Sequence, residues 1–418
     1  MGLFKIRPLL FWILLLCIHL NTIASITTIS PKNIIGGVGQ LLTITGNGFG
    51  STQGNSYVSF IQESGSYLDA TVSKTLKYNS WIDSKIELEM PVAFSGRIKV
   101  NIGGVDSYSI DTLKVKANLG YRNVNPLDYN FLNNTNNKGG YTWYMHRSYW
   151  NIPAAKLAIE DVFKEFRCKT GINYILANAP SDSNLKLGDN INLIAPDSVL
   201  GVVGFTDMAW GSCILGGTTF YRWSTMDVRM STKQNWYFGT GTTPAGKSKF
   251  RYVLMHELGH SLGLGHVNEV GQTMYPSVTF LPSDTWNSRD TITNEERTAI
   301  SYFVNLSKNF TFRGCGFTPL SSIFDCNDVF GVSSGINANK NKNTMVLFPN
   351  PSNGLLYVTV SNETTIEIIN AFGKQIDFSS TFNDSKLELN LLDNPSGIYY
   401  LKCKNGRNME SFKFVLKH

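Results

Sequence analysis

Residues 256–266 run His256-Glu257-Leu258-Gly259-His260-Ser261-Leu262-Gly263-Leu264-Gly265-His266. Two histidines four apart share one face of a helix, so His256 and His260 can grip a single metal ion from adjacent turns. His266 follows soon after, and three neutral imidazoles make a zinc site whose fourth position stays open to water. Such a site lowers the pKa of bound water toward ~7 and polarises a carbonyl. Glu257 cannot point at the ion from between its ligands, but its carboxylate can reach the water. It is therefore expected to act as general base and then to carry the proton to the leaving group. The chain has six histidines; His19, His146 and His418 stand apart, and the other three are the motif.

The elements that must hold these residues are legible around them. A helix is expected over residues 250–262, with Val253, Leu254, Leu258 and Leu262 on its apolar side, and Gly263 can take the left-handed conformation that ends it. Thr273-Met274-Tyr275-Pro276 comes next, with Met274 eight residues beyond His266. A last helix should begin at Thr293, whose hydroxyl and Glu296 make a capping box. Upstream, 141–145, 172–176 and 191–195 read as strands, 151–168 has helical apolar spacing, and 226–230 is expected to flank the substrate cleft.

The 418 residues, 42% hydrophobic and 16% charged, describe a globular chain too long for one core, so two or more domains are expected. Lys5 and Arg7, an apolar run over 9–20 and Thr22-Ile23-Ala24 form a secretory leader. Its removal lowers the net charge from +6 to about +4, and no basic cluster invites nucleic acid. No other segment is long and apolar enough to be a transmembrane anchor. Five cysteines follow the leader. Export permits disulfides, with Cys315–Cys326 preferred and Cys168–Cys213 the weaker pair; Cys403 reads as a small buried hydrophobe.

HExxHxxGxxH followed by a methionine turn resembles the metzincin metalloproteases. HELGHSLGLGH and the step to MYP make it most similar to the matrixins, with some 25 residues carrying the specific match. The resemblance implies one catalytic Zn2+, protein or peptide substrates, and Met274 as an apolar floor beneath the histidines. It also implies that Pro276 and Val278 line the main specificity pocket, with Val278 in place of a usual tyrosine. Tyr275 is given no catalytic role, because the oxyanion tyrosine of other metzincins comes two residues after the methionine, where Pro276 stands. A matrixin cysteine switch is absent from the sequence. The resemblance also allows Ca2+ in such a domain.

On either side lie strand-rich segments. Ile29-Ser30-Pro31, Gly36-Gly37 and LTITGNGFG resemble the immunoglobulin-like IPT/TIG family. At the far end, FPNPSNG, FGK and SGIYYLK resemble the C-terminal sorting domain of the type IX secretion system. That resemblance implies a Gram-negative source and passage through the periplasm to the medium or cell surface, with the secretion machinery as partner.

The expected fold is thus multidomain: an Ig-like β-sandwich, an α+β metzincin catalytic domain and a C-terminal β-sandwich. The expected bounds are a signal peptide at 1–24, the sandwich at 26–115, a linker at 116–140, the catalytic domain at 141–307, a linker at 308–343 and the sorting domain at 345–418. The flexible character of 130–140 rests on its Asn and Gly content. A segment of about residues 117–310 is expected to hold all the chemistry. The reading is a secreted zinc metalloendopeptidase. The alternative is a surface adhesin or glycan-binding protein with a vestigial protease domain, against which the intact motif counts; a zinc amidase acting on cell-wall amides is a third.

Overall fold

A computed structural model of the chain describes residues 24–120, 129–276, 291–309, 316–323, 325–331, and 347–417 apart from 360–364, 372, 384–385 and 406–407. The leader and Val278 lie outside the described residues. No helix among the described residues is long and apolar enough to cross a membrane. The chain divides into two compact units, 1–333 and 334–418.

The first unit opens with a β-sandwich. One sheet is antiparallel, in the order Ser25–Ser30, Leu41–Asn47, Lys85–Glu89, Tyr78–Ile82. Alternate residues such as Leu42, Ile44, Ile86 and Leu88 point inward and are fully buried, as the period of a half-buried strand requires. In the second sheet the 15-residue strand Val105–Leu119 pairs with Gly96–Ile102, which pairs with Tyr57–Ser59. Its far end accepts Leu264–Gly265 as an antiparallel neighbour, with Leu264 opposite Leu119 and Gly265 opposite Asn118. The short piece of chain between the second and third motif histidines is therefore a strand of the sandwich.

The α+β body that follows has a sheet in the order Tyr174–Leu176, Tyr141–Met145, Asn192–Asp197, Thr218–Ser231, Gly204–Leu215, parallel except for the last pair. Helix Pro153–Thr170 buries Ala155, Ile159, Val162, Phe163 and Phe166, and Trp143 meets Phe163 and Tyr174 at ring distances of 6.0 and 5.4 Å. Residues 226–230 form the interior of Thr218–Ser231, and the edge strand Gly204–Leu215 stands at the cleft instead. The edge strand escaped sequence reading because its glycines and mixed polarity break the strand pattern, whereas 226–230 carries the apolar residues of a strand flanked on both sides.

Two stretches read as linker are stitched into this body. Around 130–140, Asn133 Oδ1 accepts from the Thr318 amide at 2.7 Å, Asn136 Oδ1 from the Gly140 amide at 3.1 Å, and Leu132 is buried. Asparagine supplies backbone partners through its side chain, so a composition that signals a loop here builds an ordered one. Further on, Leu320 and Val329 are buried, and the Leu176 amide donates to Val329 O at 2.7 Å.

The disulfide also differs from expectation. Cys326 is joined to Cys168, with Cα atoms 4.8 Å apart, and not to Cys315, which lies outside the described residues; Cys213 is also disulfide-bonded. Nearness in sequence favoured Cys315, but the docking of 325–331 on the end of helix Pro153–Thr170 decides the pairing. Arg167, beside Cys168, strengthens that docking by donating to the carbonyls of Tyr174 and Asp325, both at 2.8 Å.

The second unit places two antiparallel sheets around one core of Leu356, Val358, Ile368, Leu389, Leu401, Cys403 and Phe414. One runs Leu347–Phe348, Leu355–Thr359, Lys386–Asn390, Ser379–Asn383, and the other Thr365–Asn370, Gly397–Asn405, Asn408–Leu416.

Mapping of the unreduced protein should recover a peptide pair linked through Cys168 and Cys326. Replacing both by Ser should lower stability by about 2–4 kcal/mol in denaturant unfolding. A Cys315–Cys326 peptide in the native protein would contradict the pairing.

Candidate metal centre and cleft

The motif helix, Phe250–Ser261, is buried along almost its whole length, which holds its register. Tyr174 helps at its end, its hydroxyl lying 3.1 Å from Ser261 Oγ. Leu262 caps the helix and Gly263 takes φ +83°, a conformation that reverses the chain at little cost only for glycine. The reversal carries His266 back toward the helix face occupied by His256 and His260.

The three rings converge through Nε2. His256 Nε2 lies 3.1 Å from His260 Nε2 and 3.3 Å from His266 Nε2, and the three ligand atoms all lie within 4.8 Å of one another. A tetrahedral zinc with bonds of about 2.0–2.1 Å has ligand–ligand edges of roughly 3.3 Å, so the spacing fits that ion. The opposite nitrogens settle the tautomers. His256 Nδ1 is 2.8 Å from Thr273 O, and His260 Nδ1 is 2.8 Å from Leu264 O. A carbonyl only accepts, so each Nδ1 carries the proton and each Nε2 keeps its lone pair. Burial, with His266 beside it, holds His260 down at about 4, so its ring is neutral and ligand-competent.

His266 is held differently. Its Nδ1 faces Glu63 Oε1 at 2.6 Å, a carboxylate supplied by the sandwich. One contact to a motif histidine thus comes from outside residues 117–310. Nothing in the sequence flags Glu63, one acid among 31 acidic residues and far from the motif.

Glu257 is buried, and desolvation pushes its carboxyl up to about 8. Thr206, on the edge strand, donates its hydroxyl to Glu257 Oε2 at 2.7 Å and so fixes the carboxylate's orientation. Thr206 also escaped sequence reading, because a single threonine in a strand carries no pattern.

Met274 is fully buried and close against Gly259, where a Cβ would stand 2.5 Å from Met274 Sδ. Its amide donates to Glu296 Oε1 at 3.0 Å, and Glu296 Oε2 accepts from the Thr293 amide at the same distance. The capping box that starts helix Asn294–Asn309 thus also anchors the methionine turn. Pro276 lies in the cleft wall.

That cleft has a volume of about 1090 Å³. One side is formed by Val203, Phe205, Thr206, Tyr252, Tyr275 and Pro276, and the other by Glu63, Tyr67, Leu68, Val72 and Phe94 of the sandwich. His256, Glu257, His260 and His266 also line it.

Gly259→Ala should cost about 1–3 kcal/mol through overpacking against Met274, read from denaturant unfolding of the metal-free protein. An unchanged midpoint would show that the methionine can step aside.

Three families match the chain. They are the IPT/TIG domain over residues 24–115, Matrixin over 213–302, and the secretion system C-terminal sorting domain over 346–417. No curated protein matches it. Among solved structures, it is similar to a structural genomics protein of unknown function from Bacteroides thetaiotaomicron, at 16% identity over 23% of this chain and 22% of that one, with a TM-score of 0.20. It is also similar to the gamma-CGTase from alkalophilic Bacillus clarkii, at 19% identity over 28% and 15% of the two chains, TM-score 0.17. A third is SGBP-B from a xyloglucan utilization locus in Bacteroides uniformis, at 16% identity over 24% and 26%, TM-score 0.17. The chain spans about a fifth of the length of the first of these structures. Taken with the histidine cluster, the family matches show that the chain carries, in order, an IPT/TIG domain, a matrixin domain holding a three-histidine metal site, and a type IX secretion sorting domain that indicates secretion or cell-surface display.

Proposed function

We propose that this protein is an exported zinc metalloendopeptidase that hydrolyses internal peptide bonds of proteins. The observation that carries this is the convergence of three imidazoles, two of them tautomer-fixed by backbone carbonyls, beside a buried glutamate in an open cleft. In this reading the catalytic core is 141–307 with the docked 316–323 and 325–331, preceded by a signal peptide at 1–24, the sandwich at 26–115 and the connector 116–140. It is followed by the remainder of the 308–343 linker and the sorting domain at 345–418.

His256, His260 and His266 would hold the zinc, which when bound supplies Lewis acidity toward water and the scissile carbonyl. Glu257 takes the proton from the attacking water and passes it to the departing amine. A cation bound by the histidines would favour its ionised form, against the burial that raises its pKa. Thr206 keeps the carboxylate from swinging away during that transfer. Met274 walls the ligand cluster from below, and Pro276, with Val278, would shape the specificity pocket.

Replacing His256, His260 or His266 by Ala should remove most bound zinc and all detectable cleavage of denatured protein, as should a strong chelator. Glu257→Ala should keep zinc while turnover falls by about 10²–10⁴. Retained proteolysis in Glu257→Ala would refute its role as base, and cleavage of peptidoglycan fragments but not of protein would favour an amidase.

Residues 345–418 supply none of these groups, and we assign them to recognition by the type IX machinery. A chain ending near Asn343 should therefore accumulate in the periplasm of the native host, while the full-length chain appears outside, shortened by about the mass of that domain. Intact-mass measurement of fractionated protein tests this, and residues 345–418 on the fully secreted form would refute their removal during export.

A further inference from the structure

The third histidine is built into the N-terminal sandwich on three sides. Leu264–Gly265, which leads into His266, is a strand of the sandwich's sheet. Buried Asn118 donates its side-chain amide to His266 O at 2.9 Å and to Ala93 O at 2.8 Å, so the backbone of His266 is tied to the sandwich interior. Just beyond, Asn268 exchanges two hydrogen bonds with the Ser95 backbone, at 2.7 and 3.0 Å. Glu269 takes ion pairs from Lys114 and Lys116 at 3.2 and 3.1 Å. The joint between the two bodies thus runs directly through the metal site.

Glu63 stands at the tip of a short hairpin loop closed by the Ile61–Tyr67 bridge, with the Gln62 amide donating to Ser66 O at 2.8 Å. The loop presents the carboxylate to His266 Nδ1 ready-made. His256 and His260 each use a backbone carbonyl of their own domain at the equivalent nitrogen.

We propose that Glu63 of the IPT/TIG sandwich is a positioning residue for the metal centre: it holds the Nδ1–H tautomer and ring angle of His266, so that the catalytic site is complete only with the sandwich docked. This rests on the zinc reading of the triad. Outer partners of this kind orient a ligand and raise its basicity, and their loss costs typically 10–100-fold in metal affinity or activity. Glu63 is largely exposed, so its contribution to folding is small and its effect falls on the metal. The same hairpin continues into Tyr67 and Leu68, which wall the cleft, so one loop serves the ion and the space beside it.

The test uses the full chain and zinc alone as the ligand. Zinc affinity is measured by competition with a chromophoric chelator for the wild type, Glu63→Ala, Glu63→Gln and Glu63→Asp, together with unfolding of each metal-free protein. The expected result is about 10–100-fold weaker zinc binding in Glu63→Ala and Glu63→Gln, partial recovery in Glu63→Asp, and metal-free unfolding midpoints like that of the wild type. At saturating zinc, kcat toward a short peptide should recover in Glu63→Gln more than affinity does. Zinc affinity within twofold of wild type in the folded Ala and Gln variants would overturn the proposal. So would a loss that follows the metal-free unfolding midpoint and is not relieved by Asp. If the wild type itself bound no zinc, it is the metalloprotease reading that would fall.

Discussion

The structure around the site depends on bringing three imidazole nitrogens within 4.8 Å of one another with their lone pairs facing one ion-sized space. A helix delivers two of them at no extra cost, because four residues return the side chain to the same face. The third requires the chain to leave the helix, reverse and come back. The left-handed turn at Gly263 and the strand Leu264–Gly265 provide that path. Each ring then needs an acceptor at Nδ1, since a ring free to flip or change tautomer would bind metal only part of the time. Thr273 O, Leu264 O and Glu63 meet that need from three different segments.

Those acceptors explain why distant parts of the fold are tightly coupled. Thr273 belongs to the methionine turn, which is anchored by the buried Glu296 through the Met274 amide. The capping box of the last helix thereby acts on the position of His256. Leu264 is both the partner of His260 and a residue of the sandwich's sheet, so His260 and His266 are each tied to the joint between the two bodies. Glu257 depends on the edge strand through Thr206. Helix, turn, edge strand and sandwich converge on one ion-sized space.

Much of this was legible in the chain. The clustering of the three motif histidines, the ending of the motif helix at Gly263 and the Thr293–Glu296 capping box are short-range patterns, whose physics lies within a turn or two of backbone. The alternating strands at both ends, and the glycine and proline punctuation around them, likewise carry the sandwich character of the flanking regions. These features are readable because spacing along the chain translates directly into spacing in a helix or strand.

What only the tertiary structure decided are contacts between residues far apart in sequence. Glu63 reaches His266 across 203 positions, Thr206 reaches Glu257 across 51, and Cys168 finds Cys326 across 158. No periodicity encodes such pairs, since each follows from how whole layers dock. The same reason accounts for the edge strand taking the place expected for 226–230, and for asparagine-rich segments that look like linker being ordered by side-chain bonds to remote backbone. Local chemistry names the metal's ligands; packing of the sandwich against the matrixin body determines what holds the third of them.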